Sequence, residues 1–338
     1  MMLFNNFYGV DLGSNTVRIY SGLKNQTFTD RNIVAARGHE IIACGDEAYE
    51  IMGKEPAEIM VKSPMSSGMI AELELQEIVL FRMLEEHGMM TPLVRNFCFA
   101  VPSGMTAVEK RAYYYVVNGH WLRQNRVYMV ERPFADALSL GIQIEKNVGT
   151  AIVNIGGDCT EFSVIADGKI IMSKKIGVGG HRINEGICNE IHRRYHLQIG
   201  IRTAERLKLA LGRLSDQKKE ARKIVGIDSV SGLPKEEAVS SYDVNAGIMD
   251  SVNELAAEMK TFLERMPPQI TYHIAKEGIY LTGGTSRLPY LDHYLASYTG
   301  YTFNLSDKFE NSSLAGIERI IRERDLRKWT QIVQERKL

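Results

Sequence analysis

Short runs of apolar and β-branched residues enter and leave a glycine turn at two places along the chain. In residues 150–166, an apolar run leads into Gly156-Gly157-Asp158, and a second apolar run follows the turn. Residues 8–20 repeat this order around Gly13. Apolar runs bounded by turn residues are typical of β-strands, so each stretch predicts a hairpin whose turn is nearly bare backbone.

A third glycine site, Gly283-Gly284-Thr285, follows a short apolar run and precedes a predicted helix from Pro289. Glycines let main-chain N–H groups approach an anion closely, because no Cβ stands in the way. Three glycine turns, each directly after a strand, therefore predict a nucleotide cleft between two related halves.

Apolar residues recur at helical spacing in longer segments, which predicts helices at 71–86, 107–118, 183–196 and 246–265. Strands alternate with these helices, and this alternation indicates the α/β class. The strand-glycine-strand unit recurs about half a chain apart, so we expect an internal duplication. Residues 213–245 are polar with weak strand signals and predict a small lobe.

Length and composition limit the number of domains, the kinds of partner and the compartment. The chain has 338 residues, which is enough for two domains with their own cores. Its 41 basic and 41 acidic side chains give zero formal charge, so no nucleic-acid partner is indicated. The four scattered cysteines form no C-x-x-C pair, which favours a reduced cytosolic compartment. No apolar run reaches the roughly 20 residues of a membrane-spanning helix.

Six motifs follow one another in an order that resembles a known family. They are VDLGSNT (10–16), RPFADALSLG (132–141), VNIGGDCTEFSVIADGKII (153–171), IGVGGHRINEGI (176–187), RTAERLKLALG (202–212), and ERMPPQI with EGIYLTGGTSRLPYLD (264–270 and 277–292). Together they resemble the actin-like ATPases and, among these, the bacterial MreB proteins. The resemblance covers nearly the whole chain.

The resemblance implies an α/β, actin-like (ribonuclease H-like) duplicated fold, with two domains that each have a large and a small subdomain around a nucleotide cleft. The first domain then has its large subdomain at 1–32, 66–145 and 315–338 and its small subdomain at 33–65. The second has its large subdomain at 146–179 and 250–314 and its small subdomain at 180–249.

The resemblance also implies a cytoskeletal function. We expect a protein that binds ATP or ADP with Mg²⁺ and polymerises with itself into filaments. Such filaments lie at the inner face of the cell membrane, contact the cell-wall elongation machinery, and organise peptidoglycan synthesis and cell shape.

The resemblance assigns nucleotide contacts to three turns and one helix. The residues are Asp11, Gly13, Ser14, Asn15 and Thr16 in the first turn, Gly156, Gly157 and Asp158 in the second, Glu205 and Lys208 on the helix, and Gly283, Gly284 and Thr285 in the third. From the residues alone, Asp11 can hold Mg²⁺ through water or bond its own backbone as a turn aspartate. Glu205 and Lys208 can likewise be a surface ion pair.

Hydrolysis is expected to be slow or absent. By resemblance, Arg132 and Cys159 occupy the two places where the family positions the attacking water with glutamate and threonine. Asn154 occupies the place of a second metal-ordering aspartate. A guanidinium has donors only and cannot accept a hydrogen bond from water, so Arg132 can instead bind a terminal phosphate. The alternative is an active but rearranged site that uses Glu131 or Glu161.

Membrane contact is expected at the loop after the helix 71–86. By the resemblance, Met89, Met90 and Leu93 are exposed there and bury apolar area in lipid. The alternative is a partly buried turn. The basic tail after Ile321 is expected to be a solvated terminal helix, with membrane or partner contact as its alternative.

Two other functions share parts of the pattern. A phosphatase or phosphotransferase of the same fold is one alternative, because the exopolyphosphatase group carries a turn similar to residues 11–15. A chaperone ATPase is the other, because its glycine segment resembles residues 283–289, but no peptide-binding domain is expected after that core.

Overall fold

Both predicted hairpins are present in the computed structural model, which describes residues 6–90, 95–119, 125–215 and 220–334. The elements up to residue 139 are, in chain order, β1 (Phe7–Leu12), β2 (Thr16–Ser21), β3 (Gln26–Arg31), β4 (Val34–Arg37), β5 (Glu40–Cys44), α1 (Gly45–Ile51), β6 (Met60–Lys62), β7 (Met65–Ser66), β8 (Met69–Ile70), α2 (Leu73–Glu86), β9 (Asn96–Val101), α3 (Ala107–Asn118), β10 (Arg126–Glu131) and α4 (Arg132–Ser139).

The elements after residue 149 continue the alternation of strands and helices. They are β11 (Thr150–Ile155), β12 (Thr160–Ala166), β13 (Lys169–Ile176), α5 (Gly180–Tyr195), β14 (Leu197–Gln198), α6 (Ile201–Leu211), β15 (Ala221–Asp228), β16 (Pro234–Ser240), α7 (Ser241–Leu263), α8 (Pro268–Glu277), β17 (Ile279–Thr282), α9 (Leu291–Thr299), β18 (Phe303–Leu305), α10 (Ser312–Arg322) and β19 (Gln331–Val333). The four predicted helices correspond to α2, α3, α5 and α7, and the predicted small lobe contains the β15–β16 hairpin.

The chain forms two compact units. The first comprises Met1–Asn147, Ile165–Ser173 and Glu310–Leu338, and the second comprises Val148–Val164 and Lys174–Phe309. The finer division into four subdomains remains a prediction.

The two large sheets share one strand order. The first sheet runs β19-β10-β9-β1-β2-β3, and the second runs β13-β12-β11-β17-β18. In the first sheet β9 pairs parallel with both β1 and β10, and in the second β17 pairs parallel with both β11 and β18. Three consecutive strands followed by two parallel strands therefore occur twice. This repeated order supports the internal duplication that the glycine turns predict.

The first sheet is buried between two helical layers. Every residue of β1 is buried, as expected for a strand that is covered on both faces. One face packs against α2 and α3 through residues such as Leu80 and Tyr113. The other face approaches α10 so closely that a Cβ at Gly9 would lie 2.7 Å from Ile317. This packing fixes the carboxyl ends of β1, β9 and β10 along one edge.

The expectation of a terminal helix after Ile321 is wrong. Residues Arg324–Trp329 form a 3₁₀ segment, and β19 then pairs antiparallel with β10. The Trp329 ring packs on Phe134, with 5.1 Å between the ring centroids. Tertiary pairing and ring packing thus determine the path of this tail. No helix in the described ranges is long and apolar enough to cross a membrane.

The contact between α4 and α10 generates a prediction. A Cβ at Gly316 would overlap the Ala135 main-chain carbonyl. At an exposed helix position, a glycine-to-alanine substitution raises the free energy of unfolding by about 1 kcal/mol. Here Gly316→Ala should instead lower the free energy of unfolding by about 1–3 kcal/mol, because the two helices must move apart. Thermal unfolding with circular dichroism measures the change. A melting temperature equal to or above that of the wild type contradicts this packing.

Candidate functional site

The first glycine turn is held by hydrogen bonds to its carbonyl oxygens. The Gly13 N–H donates to the Thr16 carbonyl at 3.0 Å, which closes the turn between β1 and β2. The Asn32 side-chain amide donates to the Gly13 carbonyl at 2.9 Å, and its backbone N–H donates to the Asn15 carbonyl at 3.1 Å. Ser63 donates its hydroxyl to the Ser14 carbonyl at 3.0 Å. The protein therefore occupies three successive acceptors of this turn.

Two main-chain N–H groups of the same turn have no such partner in the part of the chain that the structure describes. Among the described residues, no protein acceptor takes the N–H groups of Ser14 or Asn15. Successive main-chain N–H groups without protein acceptors form a concavity that suits an anion. The N–H groups of Ser14 and Asn15 therefore suit a phosphate group, and the nucleotide contacts of Gly13 and Thr16 stay predictions.

Asp11 lies beside this turn, between two arginines. Arg18 is directly opposite Asp11 in the β1–β2 hairpin, and its Nη1 lies 3.8 Å from Oδ2 of Asp11. Arg132 follows β10, and its Nη2 donates to Oδ1 of Asp11 at 3.4 Å. All three side chains are nearly buried.

This arrangement does not fit the Mg²⁺ site predicted at Asp11. A protein site for Mg²⁺ uses one or two carboxylates together with phosphate oxygens and water. Both oxygens of Asp11 face a guanidinium, and Asn154, the second predicted ligand, is neutral. Within the described ranges, no group of three or more histidine, cysteine, aspartate or glutamate side chains is arranged to hold a metal.

The second glycine turn brings three predicted motifs together. The Gly156 N–H donates to the Cys159 carbonyl at 2.9 Å, which repeats the closure of the first turn. The Gly156 carbonyl accepts from the Gly180 N–H at 3.0 Å and from the Thr285 hydroxyl at 2.7 Å. The turn, the start of α5 and the third glycine site therefore meet at one carbonyl oxygen.

Two further glycines allow this close approach. A Cβ at Gly179 would overlap the Gly157 carbonyl oxygen, and a Cβ at Gly283 would overlap the Ile155 carbonyl oxygen. Gly283 also has a φ of 86°, a conformation that L side chains rarely adopt. Gly284 begins the 3₁₀ segment that carries Thr285. These glycines are therefore required by backbone packing around the second turn.

Lys208 brings a positive charge to the same place. It extends from α6, and its ammonium donates to the Gly180 carbonyl at 3.1 Å. Burial lowers the pKa of Lys208 to about 8, while the charge of Glu205, one helical turn earlier, opposes this shift. A lowered pKa of this kind makes Lys208 a candidate functional residue.

Asp158 is paired with the first turn of α5. Its Oδ1 lies 2.6 Å from Nδ1 of His181, and the His181 N–H donates to the Gly157 carbonyl at 2.8 Å. The negative charge that Asp158 brings to the second turn therefore lies beside an imidazole, and His181 was not among the predicted site residues.

The residues predicted to govern hydrolysis have the following places. Arg132 is the first residue of α4 and contacts Asp11, as described above. Cys159 is buried, and Asn154 lies in β11 beside Thr282 of β17. Glu131 precedes α4, and its carboxylate accepts from the Gly104 N–H at 3.2 Å.

The expectation that Met89 is exposed is wrong. Its side chain is 1% exposed and belongs to the core of the first sheet, and its carbonyl accepts from the Tyr8 hydroxyl. Met90 is half-buried against the same core. Leu93 lies outside the described residues. The apolar pattern of this loop thus reflects core packing at Met89, which periodicity alone does not distinguish from a surface tip.

Several supporting residues were missed at the sequence level. Asn32 is fully buried, and its amide exchanges hydrogen bonds with the Gln76 side chain at 3.0 and 3.2 Å. Ser63 and Arg31 contact the first turn from other segments. These polar residues form no motif, and only their hydrogen bonds in the folded chain reveal their role.

Two sheets with the same strand order and a glycine turn after the first strand of each define an actin-like fold. Solved structures agree with this class. MreB5 of Spiroplasma citri bound to ADP matches with a TM-score of 0.87 at 28% identity, over 95% of this chain and 97% of that chain. The MamK double helical filament matches with a TM-score of 0.75 at 18% identity, over 94% and 98% of the two chains, which supports the fold alone.

The family follows from the sequence comparisons. The model of the MreB/Mbl protein family matches residues 5–328, so this chain belongs to the MreB/Mbl family of actin-like, cell shape-determining cytoskeletal proteins. It is 32% identical to the cell shape-determining protein Mbl of Bacillus subtilis (strain 168), over 87% of this chain and 89% of that protein. It is 29% identical to the cell shape-determining protein MreB of Escherichia coli (strain K12), over 88% of each. These findings do not support the phosphatase alternative.

The lowered pKa of Lys208 generates a prediction. Its ammonium should titrate near pH 8 in the folded protein, against 10.5 for an ordinary lysine. Between these values the unfolded chain binds more protons, so this group makes the free energy of unfolding rise with pH. The difference in the free energy of unfolding between the wild type and Lys208→Met should therefore rise with pH across this interval, as measured by denaturant unfolding. Lys223→Met, at an exposed ion pair, is the matched control, and its difference from the wild type should stay constant. Equal slopes in all three proteins contradict the lowered pKa.

Proposed function

We propose that this chain binds an adenine nucleotide through its glycine turns and polymerises into filaments that determine bacterial cell shape. The observation that carries the proposal is the meeting of the second turn, the start of α5 and Thr285 at the Gly156 carbonyl. Relatives support it, since structures of MreB5 of Spiroplasma citri contain ADP or AMPPNP. The MreB/Mbl family is also a filament-forming family.

The residues present fit a nucleotide. The N–H groups of Ser14 and Asn15 would hold phosphate oxygens in the first unit. In the second unit, the Gly157 N–H has no protein acceptor among the described residues, and Lys208 and Thr285 lie beside that turn. By the family resemblance, Glu205 contacts the adenosine. When bound, the nucleotide supplies a charged polyphosphate, and these residues bind and orient it.

The proposal includes a place in the cell. By family resemblance, the filaments lie on the inner face of the cell membrane and contact the cell-wall elongation machinery. Because Met89 is a core residue, the proposed lipid contact at this loop does not include it.

Nucleotide binding and polymerisation can be tested together at the second turn. Gly179→Ala should weaken ATP binding about tenfold or more, because its Cβ overlaps the Gly157 carbonyl and displaces the turn. Gly177→Ala is the matched control, since a Cβ there meets nothing within 4 Å. Calorimetry measures binding, and negative-stain electron microscopy with and without ATP detects filaments. Wild-type protein that neither binds ATP nor forms filaments refutes the proposal.

The same preparation tests the membrane. Filaments formed on an anionic lipid monolayer should be denser than those formed on bare carbon, since many weak contacts add along a polymer. An equal density of filaments on both surfaces contradicts the proposed membrane contact but not the proposed polymerisation.

Slow hydrolysis is a further part of the proposal. Arg132 is directed at Asp11, and a guanidinium cannot accept a hydrogen bond from the attacking water. Cys159 offers only a weakly polar thiol, and Glu131 is engaged by the Gly104 N–H. Loss of a water-positioning group commonly costs on the order of 10²-fold in rate.

ATP turnover should therefore be about 10²-fold or more below that of an MreB that retains glutamate and threonine at these places. The triple change Asn154→Asp, Arg132→Glu and Cys159→Thr should raise turnover, because it restores a water acceptor and a metal-ordering carboxylate. Phosphate release under polymerising conditions measures both rates. Ordinary turnover by the wild type, abolished by Asp11→Ala but not by Glu131→Gln, shows that the site is active as it stands.

A further inference from the structure

The charges around Asp11 are unusual for a site that takes a magnesium nucleotide. One carboxylate lies between two guanidinium groups, with Arg132 at 3.4 Å from one oxygen and Arg18 at 3.8 Å from the other. Asp11, Arg18 and Arg132 have side chains that are only 8%, 11% and 10% exposed, so bulk water screens these charges little.

The fold places this trio next to the first turn. Asp11 is the residue before the last of β1, and Arg132 directly follows β10. Because β1 and β10 both pair parallel with β9, their carboxyl ends lie at one edge of the sheet. Ligands of α/β sheets bind outside the carboxyl ends of the strands. Both arginines therefore lie near the turn that carries the N–H groups of Ser14 and Asn15.

Mg²⁺ and guanidinium perform the same electrostatic task at a polyphosphate. Each neutralises phosphate oxygens, but the metal needs carboxylate ligands and a guanidinium needs none. Asp11, the carboxylate next to this turn in the chain, is already paired with two arginines. A divalent cation at Asp11 would also meet two like charges within a few ångströms.

We propose that this chain binds the nucleotide polyphosphate without a divalent cation, with Arg132 and Arg18 supplying the positive charge that Mg²⁺ supplies elsewhere. The inference rests on the proposed nucleotide binding and adds the chemical species that binds, the metal-free ATP anion. Arg132 acts as a phosphate-binding residue and Asp11 as the group that positions both guanidiniums.

The test compares ATP affinity of the full chain by calorimetry in excess MgCl₂ and in excess EDTA. The wild type should bind with dissociation constants that agree within about threefold. In EDTA, Arg132→Glu should bind ATP about tenfold or more weakly than the wild type. Its affinity should recover when Mg²⁺ is added, because the substitution replaces a guanidinium by a carboxylate that can bind the metal. Arg126→Gln is the matched control, since Arg126 is exposed at the opposite end of β10, and it should behave like the wild type.

The wild-type comparison needs no variant, so misfolding of Arg132→Glu cannot rescue the inference. Binding of ATP by the wild type only in the presence of Mg²⁺ overturns it while leaving the proposed function intact. Failure to bind ATP under either condition overturns both. An Arg132→Glu protein that binds equally well in EDTA shows that Arg132 does not contact the phosphates.

Discussion

The hydrogen bonds to the carbonyl oxygen of Gly156 hold together the segments of the candidate site in the second unit. It accepts hydrogen bonds from the first turn of α5 and from Thr285, a residue 129 positions away in the chain. Such close approach is possible only where side chains are missing, and Gly179 and Gly283 provide that space. A main-chain framework of this kind holds N–H groups in fixed directions, so an anion that enters does not have to order them first.

The hairpins, the main helices and the duplicated strand order could be predicted, because short-range periodicity and glycine turns encode them locally. The turn residues of the site were predictable for the same reason. The Asp11–Arg18–Arg132 contacts and the Asn32–Gln76 pair could not be predicted, since they join residues from different strands and helices. The predicted exposure of Met89 and the predicted terminal helix after Ile321 were wrong for one physical reason. Tertiary burial and strand pairing override the local sequence pattern.

The two units treat charge differently although their backbones follow one plan. The first unit gathers two guanidiniums about a carboxylate, whereas the second combines a half-buried ammonium with an aspartate–histidine pair. The closure of each turn is the same, with the glycine N–H donating three residues ahead. Duplication therefore preserved the main-chain geometry of the turns, and the side chains around each copy diverged.

The strand β19 has a consequence for how copies of this chain can associate. The open edge of a sheet presents unpaired main-chain groups, and it is a ready template for a strand from another molecule. Along Val127–Met129 that edge of the first sheet is already occupied by Gln331–Val333 of the same chain. Strand exchange or sheet extension through these residues of β10 is thus blocked by the chain itself, and the outer strand on this side of the sheet is the short β19.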